Sequence, residues 1–295
     1  MWQDDPMIYA VPVFFFLIII ELIVNYNQKR ELYNSKDTLA NIAMIAGASI
    51  VATGVKVIAF MLFVFIHQFA IFDIGYQWWA WVILLFADDL TFYVHHRLSH
   101  EVRILWAAHI NHHSSEKLNF STALRQSWTE LLYKYFFWLW LPLIGFEPLM
   151  IMLMMSISMI YQFWPHTQLV GKLGSLEWLF NTPSHHRVHH ASNIRYLDRN
   201  HGGILIIWDR LFNTFSEERE IEQPIFGITN NIHTYNPINI AFHEFKNLWA
   251  DLKKAPDFET KLKYIFNPPG WSHDGPNKTA NYLRKQSSLN TSNNV

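Results

Sequence analysis

The stretch WWAWVILLFADDLTFYVHHRLSHE, residues 78–101, starts as an apolar run and ends in histidines and charged side chains. Its first part, near 78–95, approaches the ~20 residues that cross a bilayer core. We therefore expect a membrane span that continues as a helix beyond the bilayer surface. His96 and His100 then project from one side of that helix, about one turn apart. Asp89 lies on the same side, where its carboxylate is placed to orient a ligand imidazole.

Apolar stretches elsewhere in the chain predict further spans. Only Pro12 and Glu21 interrupt the apolar run Met7–Val24, and Lys56 is the single charged residue within 42–66. The whole chain is 51% hydrophobic and only 16% charged, whereas about a quarter of a soluble protein is charged. We expect an all-α, polytopic membrane protein with four or five transmembrane helices. Spans are predicted near 7–25, 42–66, 78–95, 131–144 and 148–165.

Histidines recur in three clusters, an H-x3-H at His96 and His100 and two H-x2-H-H triplets. On a helix, the first histidine of such a triplet shares a face with each of the two later ones, so the triplet spreads its imidazoles over one broad face. This arrangement can supply ligands to two neighbouring metal ions. The triplets are His109, His112 and His113, and His186, His189 and His190.

Short loops without Lys or Arg set the expected orientation, because short cytoplasmic loops collect basic residues. The first six residues, residues 67–77 and residues 144–148 contain neither, and we expect them outside. All three histidine clusters then lie on the cytoplasmic face, in a helical cap of a multi-pass protein. Its membrane would be the endoplasmic reticulum in a eukaryote or the inner membrane in a bacterium. Residues 1–273 are expected to form this single membrane-embedded domain, and residues 274–295 a disordered polar tail.

The chain has no cysteine, which excludes disulfides, thiolate-ligated haem and iron–sulfur clusters. A metal must be held by nitrogen and oxygen, and imidazole ligands suit iron, zinc, copper or nickel. Both a hydrolase that activates water and an oxygenase that uses redox-active metals fit such a site. The HExxH zinc-protease motif is not formed after His100 and Glu101, because position 104 is Ile104. No basic block suggests a nucleic-acid partner.

Longer stretches around the histidine clusters resemble one known superfamily. They are DLTFYVHHRLSHE from Asp89, HINHHSSEKLNFSTALRQS from His109, YQFWPHT from Tyr161, NTPSHHRVHH from Asn181 and GGILIIWDRLF from Gly202. In this order they resemble the fatty acid hydroxylase and sterol desaturase superfamily of membrane di-iron enzymes. The segments HHSSExxN and TALRQS resemble its alkylglycerol monooxygenase branch, which is pterin-dependent and cleaves ether lipids.

The resemblance implies roles for individual residues. His166 matches a further histidine of the family, although the usual histidine four residues before it is Gln162 here. Glu101 matches a glutamate that the branch needs for activity, and with Asp89 it is our candidate for a catalytic carboxylate. The residues implied to ligate two irons are His96, His100, His109, His112, His113, His166, His186, His189 and His190.

The implied reaction hydroxylates the carbon next to the ether oxygen of a glyceryl ether, using O2 and tetrahydrobiopterin. The products are a fatty aldehyde and a glycerol derivative, and the partners are a membrane lipid, O2 and an electron donor. One alternative is a sterol desaturase or fatty acyl hydroxylase of the same superfamily. A second is a non-enzymatic metal carrier, which would need polar ligands across the bilayer, where the spans offer only Glu21 and Lys56.

Five more polar residues are candidates for the surroundings of the site. Arg125 and Asn119 are candidates to contact the pterin or the lipid head group. Asp198, Asn200 and Asp209 are expected to support the last histidine cluster or to cap helices nearby.

Overall fold

The computed structural model describes residues 5–292, with side chains through residue 289. Within that range the regular elements are helices. Extended segments there pair only as isolated β-bridges and form no strand. The all-α class expected from the sequence is therefore confirmed. The α-helices of the described range are α1 (Met7–Asn27), α2 (Ser35–His67), α3 (Trp78–Glu101), α4 (Arg103–His113), α5 (Trp140–Ile144), α6 (Pro148–Phe163), α7 (Pro183–His189), α8 (Ile207–Leu211), α9 (Pro237–Lys254), α10 (Phe258–Phe266) and α11 (Ala280–Ser292).

Two of the described helices, α1 and α2, are long and apolar enough to cross a bilayer. Much of their surface is exposed apolar side chain, for example Phe16 on α1 and Ile50 on α2, as expected of helices that contact lipid. The first turn of α2 is capped by Asn34, whose side chain accepts hydrogen bonds from the backbone N–H groups of Lys36 and Asp37. Two candidate spans are fewer than the four or five that we expected.

The third predicted span, near 78–95, is the first part of α3, which continues to Glu101 without a break, as expected. Asp88, Asp89 and the histidines that follow them make this helix less apolar than α1 and α2. Many of these polar residues are buried against the rest of the protein. α3 thus joins an apolar segment to the histidines of the H-x3-H cluster.

The continuous helix predicted over 131–144 is not formed. The chain there makes two short 3-10 turns, Glu130–Leu132 and Lys134–Trp138, followed by the five-residue α5. Two indole N–H groups hold this irregular segment against α3: Trp138 donates to Asp88 Oδ1 at 2.7 Å, and Trp140 donates to Thr91 Oγ1 at 3.0 Å. Tertiary hydrogen bonds from aromatic side chains have replaced local helical order. The next predicted span, near 148–165, corresponds to α6.

The C-terminal tail also differs from the expectation of disorder over 274–295, because the structure has α11 within it. Arg284 on α11 donates hydrogen bonds to the backbone carbonyl of Leu197 and to the side chain of Asn281. Leu197 lies just before a loop that contacts the last histidine cluster. Residues 1–4 and 293–295 lie outside the described range.

The main apolar core lies between α2, α3, α5 and α6. Phe63, Leu84, Leu141 and Met150 are fully buried in it. α3 leaves this core at its C-terminal end and packs against α4, and α4 in turn packs against α9 and α10. The histidine-bearing helices therefore meet next to the apolar core.

Candidate metal centre

Nine histidines converge into two adjacent groups. Within each group, one ring nitrogen of every member lies within 4.8 Å of the corresponding nitrogens of the others. The structure brings together all nine histidines that were named from the sequence. Group 1 consists of His96, His100, His109, His113 and His189, and group 2 of His112, His166, His186 and His190.

Helical geometry explains how each H-x2-H-H triplet serves both groups. Successive residues of an α-helix point about 100° apart, so adjacent histidines diverge whereas those four apart lie on one face. On α4, His109 and His113 join group 1 and His112 joins group 2. On and just after α7 the assignment is reversed. There, His186 and His190 join group 2, and His189 joins group 1.

Histidine rings of the two groups pack against each other. The ring centroids of His113 and His190, which belong to different groups, lie 4.5 Å apart, and those of His186 and His189 lie 5.4 Å apart. α7, which carries His186 and His189, begins at a capping box between Thr182 and His185, with Pro183 in its first turn. The N-terminal cap fixes where a helix of only seven residues begins.

Backbone carbonyls fix the tautomer of four rings. A carbonyl oxygen can only accept a hydrogen bond, so the Nδ1 atom that contacts it carries the proton and Nε2 carries a lone pair. The pairs are His96 with His201 (2.8 Å), His189 with Arg199 (2.9 Å), His166 with Gln162 (2.9 Å) and His112 with Arg125 (3.3 Å).

Carboxylates hold two further rings in the same way. Nδ1 of His109 lies 3.1 Å from Glu130 Oε2, and Nδ1 of His100 lies 3.2 Å from Asp198 Oδ1. Burial acts to raise the pKa of Glu130, but the hydrogen bond from His109 and the charges nearby outweigh it and lower that pKa below its usual range. Glu130 is thus an anion that accepts a hydrogen bond from the Nδ1–H of His109. A carboxylate on the far nitrogen of a ligand imidazole raises its basicity and fixes its orientation.

The Nε2 lone pairs face one another at short range. Nε2 of His96 lies 3.0 Å from Nε2 of His109, and Nε2 of His112 lies 3.1 Å from Nε2 of His166. Because each of these rings already donates from Nδ1, neither member of a pair has a proton to share, and the lone pairs repel unless a cation lies between them. Two nitrogens bound to one metal at about 2.0–2.1 Å are separated by roughly 3 Å. The spacing fits metal ligation.

Two more Nε2 atoms in group 1, those of His100 and His189, are buried without a hydrogen-bond partner. A buried polar atom that lacks a partner is costly unless a ligand satisfies it.

Burial, followed by the proximity of the other histidines, lowers the pKa of His113, His189 and His190 well below the usual value. These rings are therefore neutral at physiological pH, which is the form that binds metal.

The loop Asp198–His201 orients three histidines of group 1. It supplies the Asp198 carboxylate to His100, the carbonyl of Arg199 to His189 and the carbonyl of His201 to His96. The loop is held in turn by Asp209, whose two carboxylate oxygens accept from the backbone N–H groups of His201 and Gly202 at 2.8 and 2.7 Å. Asp209 thus supports His189 of the last cluster through this loop, as expected, whereas Asp198 contacts His100 of the first cluster.

Asn200 is the central anchor of this loop. Its side-chain amide donates to the carbonyls of His185 and Ser216 at 3.0 and 2.8 Å, and its Oδ1 accepts from the Ser216 N–H at 2.8 Å. Its backbone has φ 58°, a left-handed conformation that asparagine tolerates better than most residues. These bonds hold the loop in the shape that presents its carbonyls to the ligands.

Asp89 does not orient a ligand imidazole in the structure. Its carboxylate accepts from the backbone N–H groups of Ile204 and Leu205, at 2.6 and 3.0 Å, and from the indole N–H of Trp208 at 2.9 Å. His96 lies seven positions after Asp89 on α3, which is about 10 Å of helix. The Asp89 carboxylate is therefore too far from the His96 ring to orient it. Asp89 anchors the segment after the Asp198–His201 loop instead.

Glu101 lies outside both histidine groups. Its Oε1 accepts from Nε of Arg97, one turn earlier on α3, at 2.9 Å, and 38% of its side chain is exposed. It follows His100 directly, so its side chain leaves the helix about 100° away from that ligand. A catalytic role for Glu101 stays a prediction.

Arg125 and Asn119 are bound within the protein. The Arg125 guanidinium is buried and pairs with Asp37 of α2 at 2.9 Å, while its carbonyl accepts from His112. The Asn119 amide donates to the carbonyl of Leu32 at 2.8 Å. The contacts of Arg125 thus connect the second histidine cluster to the start of α2. The proposed contact of Arg125 and Asn119 with a pterin or head group stays a prediction.

Sequence reasoning missed Glu130 and the carbonyls of the Asp198–His201 loop. Glu130 did leave one signal, because it is the only acidic residue between Glu116 and Glu147. An acidic residue in so aromatic and apolar a stretch needs a buried partner. The loop carbonyls left no signal, since any residue supplies a carbonyl.

Comparison with known proteins gives one family and several relatives. A family model described as fatty acid hydroxylase matches residues 81–214, which include all nine histidines. The chain is 35% identical over 273 residues to alkylglycerol monooxygenase of Xenopus tropicalis (91% of this chain, 59% of the relative) and 36% identical over 272 residues to that of Homo sapiens (91% and 60%). It is 30% identical over 153 residues to ornithine lipid hydroxylase OlsE of Rhizobium tropici (51% and 46%).

The chain thus spans about three fifths of the length of the first two relatives, 59% and 60%. No solved structure matches it significantly.

Proposed function

We propose that the protein is a di-iron membrane monooxygenase of the fatty acid hydroxylase family, whose model matches residues 81–214, and that it hydroxylates a lipid C–H bond. The observation that carries the proposal is the convergence of imidazole lone pairs into two adjacent groups. The most specific form of the proposal is O-alkyl cleavage of glyceryl ethers, supported by relatives named alkylglycerol monooxygenase at 35% and 36% identity.

The donor set supports two irons, one held by each histidine group. All nine donors are imidazoles, and imidazole suits iron among the first-row metals. When bound, the irons supply the one-electron chemistry with O2 that amino-acid side chains cannot perform. The chain's own contribution is to fix the ligands. Nδ1 of His109 is held by Glu130, and Nδ1 of His100 is held by Asp198.

The proposed overall reaction consumes one glyceryl ether, one O2 and one tetrahydrobiopterin. One oxygen atom enters the C–H bond next to the ether oxygen as a hydroxyl group, and the other leaves as water, with two electrons supplied by the pterin. The resulting hemiacetal breaks its bond to the glycerol oxygen, which takes up the hydroxyl proton, and yields a fatty aldehyde and a glycerol derivative. No residue is assigned to the pterin.

A membrane setting fits this substrate. α1 and α2 are candidate spans, and we propose that the apolar part of α3, near 78–95, and α6 lie in the bilayer as well, with the histidine groups at the cytoplasmic face. α3 would then carry His96 and His100 directly from the bilayer to the metals. An alkyl chain can stay in lipid while its polar end reaches the site.

A metal carrier is disfavoured by the contacts of the charged residues within the two candidate spans. The Glu21 carboxylate accepts from the Tyr33 hydroxyl at 2.6 Å and from the Phe120 N–H at 2.7 Å. The Lys56 ammonium lies 3.7 Å from the Asp5 carboxylate. Neither residue offers a free ligand along a path across the bilayer.

The test is release of fatty aldehyde from an alkylglycerol by iron-loaded protein in detergent, with and without tetrahydrobiopterin. We expect aldehyde that requires both the pterin and O2, and none from His113→Ala. If protein that holds two irons releases none, ether cleavage is wrong. The same preparation is then assayed with sterol and fatty acyl substrates, the alternative within this superfamily.

A further inference from the structure

α9 has two different faces. Its buried face carries Ile240 and Ala241, which pack against Ala40 and Met44 near the start of α2. The same side of α9 faces α4, where Asn111 Nδ2 donates to the carbonyl of Ala241 at 3.4 Å. One face of α9 is thus fully used in packing against the helices of the site.

The face beside it presents a row of apolar side chains at helical spacing, which we call the α9 stripe. It consists of Ile238, Phe242, Phe245 and Trp249. Ile238 is 58% exposed and Trp249 is 61% exposed, whereas Phe242, whose ring lies 6.2 Å from that of Trp128, is 36% exposed and Phe245 is half-buried. At 100° per residue, the four side chains fall within a sector of about 60°. An apolar row of this kind on a helix surface marks an interaction site.

Lysines flank the α9 stripe on one side. Lys246 and Lys253 lie one turn after Phe242 and Trp249, and both are exposed. The Lys253 ammonium lies 5.5 Å from the centre of the Trp249 ring. Tryptophan beside lysine on an amphipathic helix is the composition of segments that lie in the lipid head-group layer.

α9 packs against the N-terminal part of α2, which is one end of a candidate span. α2 has 33 residues, or about 50 Å of helix, and exceeds a hydrocarbon core of about 30 Å. Its first turns bury polar groups, Asp37 and Asn41, so this end lies outside the hydrocarbon. α9 packs at the same level of α2, against Ala40 and Met44, and Leu39 and Ile42 beside them are exposed.

We propose that the α9 stripe is a lipid-binding surface that lies in the head-group layer of the bilayer that α2 enters. Phe242 and Trp249 face the acyl chains, while Lys246 and Lys253 extend toward lipid phosphates. Leu39 and Ile42 of α2, which are apolar and exposed, are neighbours in sequence of Ala40 and Met44, against which α9 packs. It does not depend on the enzymatic activity proposed above.

Docking of α9 would fix the height of the metal groups above the lipid. Arg103, the first residue of α4, pairs through Nε with Glu244 of α9 at 3.0 Å and through Nη2 with Asp251 at 2.7 Å. α4 carries His109, His112 and His113. A helix seated on lipid is thus clamped directly to a helix that presents three ligands.

The absence of cysteine from the chain allows a test with single-cysteine variants. Phe242→Cys and Trp249→Cys are labelled with a nitroxide in nanodiscs of phosphatidylcholine and phosphatidylglycerol. Accessibility to O2 is compared with accessibility to a water-soluble chromium chelate. Ala250→Cys, on the exposed polar side of α9, is the matched control, and Ile50→Cys on α2 is the deep reference.

We expect labels at Phe242 and Trp249 to have a ratio of O2 to chelate accessibility several-fold above that at Ala250 and below that at Ile50. A ratio at both positions equal to that at Ala250 would place the stripe in water and overturn the proposal. Labels that neither reagent reaches would show that protein covers the stripe, which overturns it too. Neither readout depends on iron or activity.

Discussion

His112 and His113 are adjacent in the chain but belong to different histidine groups. Their ring centroids lie 5.5 Å apart, with the ring planes at 88°. The same division separates His189 from His190 in the second triplet. Each H-x2-H-H triplet therefore connects the two groups, so movement of α4 or α7 would disturb both groups together.

Glu130→Gln should weaken metal binding without removing a ligand. The variant keeps the size of the side chain but loses the negative charge of the carboxylate that accepts a hydrogen bond from His109. Loss of such a partner typically costs 10–100-fold in metal affinity, and we expect a loss of about that size in an iron titration. Glu116→Gln, at an exposed carboxylate outside the groups, should leave the affinity unchanged. Equal affinities in the two variants would contradict the role given to Glu130.

Asp89→Asn should lower the stability of the protein and leave its iron content nearly unchanged. The Asp89 carboxylate accepts three hydrogen bonds, from Ile204, Leu205 and Trp208, and hydrogen bonds to a charged group contribute about 1.5–3 kcal/mol each. An amide keeps one oxygen to accept them, so we expect a loss of about 2–4 kcal/mol, seen as a lower thermal midpoint. If the variant kept its midpoint but lost activity, Asp89 would act in catalysis, as its sequence position first suggested.

Glu101→Gln should change stability little, because the ion pair with Arg97 is more than a third exposed and such pairs contribute at most about 1 kcal/mol. A catalytic role predicts lost aldehyde release with normal iron content. Arg97→Gln removes the same ion pair and serves as the control. If both variants lose activity equally, the ion pair matters and Glu101 has no separate catalytic role.

Acid should destabilise the iron-free protein. Burial lowers the pKa of His166 to about 4 and that of His201 to about 3, compared with about 6.5 in an unfolded chain. Between pH 6.5 and 4 the unfolded state thus binds protons that the folded state does not, so stability is present above this window and lost as the pH falls through it. At pH 5 the loss should be about 2 kcal/mol per histidine. An unchanged thermal midpoint between pH 7.5 and pH 5 would contradict this.

The sequence predicted which histidines come together because their spacing is a local property. Helical periodicity alone relates His109 to His113 and His186 to His190, and these pairs share groups in the structure. The supporting contacts cross long stretches of sequence, such as His100 to Asp198 and His96 to His201. No local pattern encodes them.

The number of spans was harder to predict for a related reason. An apolar and aromatic stretch such as 131–144 has the composition of a span. Its tryptophans instead donate hydrogen bonds to Asp88 and Thr91 of α3, and the helix is broken. Hydropathy counts apolar atoms but does not record which polar partner an indole N–H will find.

Iron content per chain tests the central claim most directly, and α7 offers a matched pair of variants. His189→Ala removes a ligand from group 1, and His190→Ala, the next residue, removes one from group 2. With iron measured by atomic emission on folded, detergent-purified protein, we expect about two irons in the unmodified chain, about one in each single variant and none in the double variant. Fewer than two irons in the fully loaded unmodified chain, or two irons retained by both single variants, would contradict a site built from two histidine groups.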